Sequence, residues 1–467
     1  MNRRKFMMKG SLVGLGFLGL RSYAFSSDLI SNSGNIEDWR AHGYGRLRRD
    51  PEGLLNLPRG FSYKIISRHG DIMTDGFYVP GLPDGMGAFQ GDKDKTIIVR
   101  NHEISPTDAN NGPFGEELSL LERLSPNQLY DYGHGEKPCL GGTSTLVYNQ
   151  KSQIVEQESL SLIGTVRNCA GGITPWGSWI TCEESTIRSG SILEKDHGYN
   201  FEVPATSEIK LFDPVPIKAM GRFNHEAVCV DPRTSIVYQT EDRPDGLIYR
   251  FLPNTPGKLL NGGKLQVLGI KNREAFDTRN WTNTGAPWMR VGKKYEVRWL
   301  DIDDVESPDD DLRWRGKEAG AAVFARGEGM WFGQNEVYFA CTNGGRMCHG
   351  QIFRYTPSAY EGQQEENDHP GTLEIFIEPN NSAIVESCDN LTIGANGDLI
   401  ICEDKKTPKI IGVTPKGKVF QVAKNIGFPS EFAGATFSPD GKTLFVNIQE
   451  AGLTLAINGP WGQRINQ

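Results

Sequence analysis

The chain has 467 residues, of which 37% are apolar and 23% charged, with a formal net charge of −8. That apolar fraction supports a large core and excludes an intrinsically disordered chain. The acidic balance argues against a nucleic-acid partner held through backbone phosphates. With 55 glycines and 26 prolines, the sequence suits many short strands better than long helices.

The N-terminus opens with MNRRKFMMK, continues into an apolar run from Ser11 to Leu20, and reaches the small-x-small triplet Ser22-Tyr23-Ala24. This pattern predicts a signal peptide over residues 1–24. Arg3-Arg4 followed by Phe6 resembles the twin-arginine type, with an ordinary secretory signal as the alternative. The expected location is periplasmic or secreted, with no stable membrane span after processing, because the apolar run is too short. Residues 25–467 are then expected to form a single domain. Removing Arg3, Arg4, Lys5, Lys9 and Arg21 moves the formal charge from −8 to −13. Such a chain repels a phosphate ester unless bound cations reverse the local field.

Beyond the leader, one pattern recurs. A polar residue precedes a short apolar strand, a tight turn follows, and a second apolar strand ends in acidic or amide residues. Clear copies are CAGGITPWGSWITCEE from Cys169, EAVCVDPRTSIVYQTED from Glu226, EGMWFGQNEVYFACTN from Glu328, DNLTIGANGDLIICED from Asp389 and EFAGATFSPDGKTLFVNIQE from Glu431. A weaker copy runs from Met86 to Glu103. The turns carry Gly, Asn, Asp and Pro, which supply the backbone angles of hairpins. Six hairpins predict an all-β, six-bladed β-propeller with inserted loops, and a β-sandwich is the alternative fold. One short helix is expected near Leu118 to Gln128. Eight cysteines follow the leader; their spacings form no compact disulfide framework, although Cys341 and Cys348, flanking a Gly-Gly turn, could pair.

In an antiparallel hairpin the first residue of strand one and the last of strand two lie side by side. The residues bounding each copy can therefore converge on one mouth of a ring. They are Cys169, Glu184, Glu226, Asp242, Glu328, Asp389, Asp404 and Glu431. Seven carboxylates in a small volume require cations. Carboxylate oxygens suit hard ions such as calcium, while a thiolate calls for a transition metal. For any one carboxylate alone, a solvated loop end is the simpler reading. A lone strand-start cysteine is commonly a small core residue, but Gly171-Gly172 would admit close backbone approach. Arg326 lies two residues before Glu328 and could grip a phosphate, or could equally be a surface charge. Asn224 and His225 could orient ligands, and His225 could equally be an ordinary strand-end histidine.

Taken in order, PDGMGAF, RNHE, GGTSTLV, NCAGG with TPWGSWITCEE, FNHEAVCVDP, TEDRPDGLIYRF, FARGEGMW and CDNL resemble the PhoX-type alkaline phosphatases and their exported relatives. The resemblance covers nearly the whole mature chain. It implies a six-bladed propeller whose cofactor combines ferric iron and calcium bridged by an oxide. It implies that Cys169 is the iron thiolate, that Glu226, Glu328 and Asp389 are metal ligands, and that Arg326 binds phosphate. Glu184 and Glu431 are further matches. The expected activity is hydrolysis of a small phosphate monoester by a monomeric enzyme, with a metal-bound oxide or hydroxide as nucleophile. A calcium-dependent lactonase or esterase propeller is one alternative, and it would need no thiolate. A non-catalytic exported binding propeller is the other.

Overall fold

The computed structural model describes residues 42–465. The expected signal peptide lies outside the described residues. Among them, no helix is long and apolar enough to cross a membrane.

The fold is all-β and propeller-like, built from short antiparallel meanders. The first contains Pro83–Gln90, Lys95–His102, Gly141–Asn149 and Ile154–Thr165. The second is Asn168–Ile173, Ser178–Glu183 and Asn200–Pro204. Two further meanders begin at His225–Val230 and at Gly327–Phe332. Strand Tyr295–Asp301 pairs with the outer strands of both, Gly263–Ile270 and Thr372–Ile377, and fuses them into one nine-stranded sheet. Cys388–Ile393 opens a five-stranded sheet whose last strand is Leu55–Asn56. Phe432–Phe437 opens the final four-stranded sheet, completed by Ser62–Arg68 paired to Leu453–Asn458. Hydrogen bonding thus yields five sheets where six separate blades were expected. The long connection after Ile270 returns as a shared strand instead of remaining a loop.

The first strands of the meanders pack against one another in chain order, and the last packs against the first. This close approach explains their small residues. A Cβ on Gly85 would lie 2.6 Å from Ala170 Cα, and one on Gly329 would lie 2.6 Å from Asn390 Cα. A Cβ on Gly172 would meet the Val228 carbonyl oxygen at 2.1 Å, so the Gly171-Gly172 pair does admit a neighbouring backbone. Between the sheets lie apolar clusters such as Phe324, Phe339 and Phe353. Their burial is the main driving force for assembly.

Two local expectations are corrected. Leu118 to Gln128 forms separate 3-10 turns, with Leu121–Arg123 and Pro126–Gln128 among them, because Pro126 interrupts any longer helix. Cys341 and Cys348 do not pair, and all eight cysteines are free thiols. Cys341 is buried at the end of its strand, whereas Cys348 is exposed beyond the Gly344-Gly345 turn.

Candidate metal centre

The site grows from one hydrogen bond repeated around the ring. In each hairpin, the residue after the second strand donates its N–H to the carbonyl of the residue just before the first strand. The donor–acceptor pairs are Glu103–Leu82, Glu184–Arg167, Asp242–Asn224, Thr342–Arg326, Asp404–Ser387 and Gln449–Glu431, all at 2.9–3.3 Å. These contacts bring both ends of every hairpin to one mouth.

The second residue of each first strand forms an inner ring: Asp84, Cys169, Glu226, Glu328, Asp389 and Ala433. In the first five strands the register skips between the first and fourth residues, at Pro83/Met86, Asn168/Gly171, His225/Val228, Gly327/Met330 and Cys388/Leu391. A bulge at this place turns the second residue out of the ladder and toward the axis. Ligand oxygens of Glu226, Glu328 and Asp389 come within 4.8 Å of one another. The Cys169 sulfur lies 3.6 Å from the Glu226 carbonyl oxygen and 3.3 Å from that of His225. Asn101 fixes this segment by donating to the carbonyls of Cys169 and Ala170 at 3.0 and 2.7 Å.

Burial first, and then mutual repulsion, pushes the carboxyls of Asp84, Glu226 and Glu328 well above the usual range. Burial and the Asp404 charge raise Asp389 to about 8. Burial, Asp389 and contact with Asp404 raise Glu431 to about 12. Burial and the neighbouring charges of Glu226 and Glu184 push the Cys169 thiol up. Asp84 Oδ1 and Glu226 Oε2 are buried without a hydrogen-bond partner. Buried polar atoms are normally satisfied, so orphaned oxygens beside a carboxylate cluster fit a bound cation.

The structure places all eight expected ligand residues at this end, but not equivalently. Glu226, Glu328 and Asp389 gather, with Cys169 beside them. Glu184 and Asp242 already have guanidinium partners. Arg167 pairs with Glu184 and, at 2.8 Å, with Glu103. Arg326 grips Asp242 through two hydrogen bonds of 2.8 Å and reaches Glu328 at 3.0 Å. Asp404 is exposed on the rim next to Glu431.

Asp84 and Glu103 belong to the same rings and were not anticipated. Gln449 bridges them, donating to Asp84 Oδ2 at 2.7 Å and Glu103 Oε2 at 3.0 Å. Their signal was present in sequence: Asp84 precedes Met86 by two, as Glu226 precedes Val228 and Glu328 precedes Met330.

Of the two candidate orienting residues, Asn224 contacts the site, donating to Glu184 Oε1 at 3.1 Å. His225 points away. It is fully buried, its Nε2 faces the Gly221 carbonyl at 3.0 Å, and burial lowers its pKa to about 3. It is a neutral core histidine.

A second cluster, Asp131, Cys139 and His197, also has metal-ligand chemistry. Its groups are already satisfied. His197 contacts Glu183 at 2.6 Å and Asp131 at 3.3 Å, while Asp131 accepts backbone N–H groups from Gly133, Glu194 and Lys195. Although burial opposes it, these carboxylates push His197 up to about 12. With a carboxylate against each ring nitrogen, His197 is satisfied within the protein itself.

Residues 42–159 and 134–452 match the family model described as alkaline phosphatase PhoX. Among solved structures, the chain is similar to Pseudomonas fluorescens PhoX in complex with vanadate, a transition state analogue. The TM-score is 0.64 at 18% identity, covering 87% of this chain and 96% of that one. At this identity the likeness shows the fold. A gluconolactonase from Xanthomonas campestris aligns at 11% identity over 86% of this chain and 97% of that one. Its TM-score of 0.40 is too low to bear on function. No curated protein matches.

Proposed function

Because the chain belongs to the PhoX alkaline phosphatase family, we propose that it hydrolyses phosphate monoesters at the mouth lined by Glu226, Glu328, Asp389, Cys169 and Arg326. The observation that carries this reading is the set of buried, mutually repelling carboxylates with orphaned oxygens on Asp84 and Glu226. Glu226, Glu328 and Asp389, with Asp84 in reach, would hold hard cations such as calcium. Cys169 would supply the thiolate for a transition metal, iron by family resemblance. Such cations supply Lewis-acid stabilisation of phosphoryl oxygens and a water-derived nucleophile near neutral pH. Arg326, fixed by Asp242, would present its guanidinium to the phosphoryl group and hold it in line for attack. Glu184 and Asp242 would act chiefly by aiming the two arginines, and Asp404 with Glu431 would close the rim. We count the fold as six blades, taking the nine-stranded sheet as two joined through Tyr295–Asp301. We further propose export to the periplasm or beyond, by the twin-arginine route, on the leader sequence. The Cys169 thiol favours this reading over a calcium-only lactonase. Elemental analysis of purified protein beside assays with a generic monoester and a lactone tests it. Iron and calcium with monoester turnover are expected, and lactone turnover alone would refute it.

A further inference from the structure

We propose that Arg167 is a second phosphoryl-binding arginine at the same mouth as Arg326. This rests on the phosphatase reading and deepens it. The two residues occupy the same place in their hairpins, each directly before a first strand and each accepting the N–H of the residue that follows the second strand. Of the six residues at that position, the other four are Leu82, Asn224, Ser387 and Glu431, so Arg167 and Arg326 supply its only cations.

Their side chains are held alike. Arg326 is 35% exposed and uses Nε and Nη2 on Asp242 and Glu328. Arg167 is 38% exposed and uses Nε and Nη2 on Glu103 and Glu184. Among the described residues, neither Nη1 group makes a hydrogen bond. Each guanidinium is therefore oriented by carboxylates on one edge and retains donors on another.

The two are also linked. Glu184, which contacts Arg167, lies within hydrogen-bonding reach of Asp242, and Asp242 holds Arg326. An unbroken run of ionisable groups thus passes from Glu103 through Arg167, Glu184, Asp242 and Arg326 to Glu328. The two cations flank one carboxylate pair. A phosphoryl group carries its charge on three nonbridging oxygens, and one fork cannot satisfy all of them. A second fork with preset orientation suits the remainder. The simpler role, a counterion that only neutralises Glu103 and Glu184, needs no free edge and no partial exposure.

The test uses metal-loaded Arg167→Gln and Arg167→Lys variants, with orthophosphate as the probe. Phosphate affinity is read by calorimetry and metal content by elemental analysis. Arg167→Gln should weaken phosphate binding roughly 10- to 100-fold, the span of charge-assisted hydrogen bonds, with metal content unchanged. Arg167→Lys should fall between it and wild type, and the KM for a monoester should follow the same order. Phosphate affinity within about twofold of wild type would overturn the proposal. So would metal loss in step with affinity, or a wild-type protein that binds no phosphate. A wild-type protein that binds phosphate but turns over no monoester would instead sink the phosphatase reading, leaving Arg167 to be judged on affinity.

Discussion

Arg326 and Asp242 form a two-point ion pair across neighbouring meanders, Nε to Oδ1 and Nη2 to Oδ2, each at 2.8 Å. The carboxylate thereby fixes the plane of the guanidinium before any substrate arrives. Arg326→Ala should lower kcat/KM by about 100-fold or more, the order seen when a preset electrostatic donor is lost. Metal content should stay near wild type. Asp242→Asn should produce a smaller loss of the same kind. Steady-state kinetics beside elemental analysis checks this, and equal loss of metal and activity would make Arg326 structural.

Cys169 is the one sulfur in the inner ring. Cys169→Ala should abolish iron binding while leaving calcium bound by Glu226, Glu328 and Asp389. Atomic emission on the purified variant decides the point. Iron retained at wild-type stoichiometry would remove the thiolate from the site.

The carboxylate cluster makes the metal-free protein sensitive to pH in a definite direction. Asp389 has its folded pKa raised to about 8, from an ordinary value near 3.8. A raised pKa means that the folded state holds the proton more tightly. The resulting stability is fully present below the unfolded pKa and is lost as pH rises through the folded one. Chelated protein should therefore melt at progressively lower temperature between about pH 4 and pH 8. Added calcium should flatten that dependence, because bound cations replace the protons. Thermal melts with and without chelator across this range provide the measurement. Strong chelation should also abolish turnover.

Where neighbouring first strands touch, the approach of one backbone to the next leaves no space for a side chain at Gly329. Gly329→Ala places a methyl group 2.6 Å from Asn390 Cα. Overpacking of this kind costs about 1–3 kcal/mol. Chemical denaturation of the metal-loaded variant should register that loss. Gly190→Ala serves as a control for added bulk alone, since no atom lies near its would-be Cβ and its backbone is not in the left-handed region.

Much of this architecture could be read from the sequence because hairpins announce themselves locally. Gly177, Gly397 and Gly441 all take positive φ in the turns where they were expected. The acidic strand ends were equally visible, but their division of labour was not. In CEE, TED and CED the first carboxylate points inward and satisfies backbone amides: Glu183 those of Val166, Gly198 and Tyr199, Glu241 that of Leu247, and Glu403 those of Glu386 and Lys409. Only the second, Glu184, Asp242 or Asp404, reaches the mouth. Strand alternation gives this distinction once the register is known. The weak hairpin copy is recognisable only from Met86, two residues past Asp84, so its pattern does not mark Asp84 or the closing Glu103 as ring positions. The strand shared through Tyr295–Asp301 follows a long irregular connection, and no local pattern specifies such a non-local pairing.

The final sheet takes its outer strand, Ser62–Arg68, from near the beginning of the chain and the remainder from its end. Its last pairing, Ser62 with Asn458, spans nearly the whole described sequence. A ribosome must therefore release almost the entire polypeptide before the clasp can fasten. Until then the Ser62 segment waits unpaired, exposing an edge that other chains could capture. Loss of a few residues after Leu453 would leave that edge permanently open.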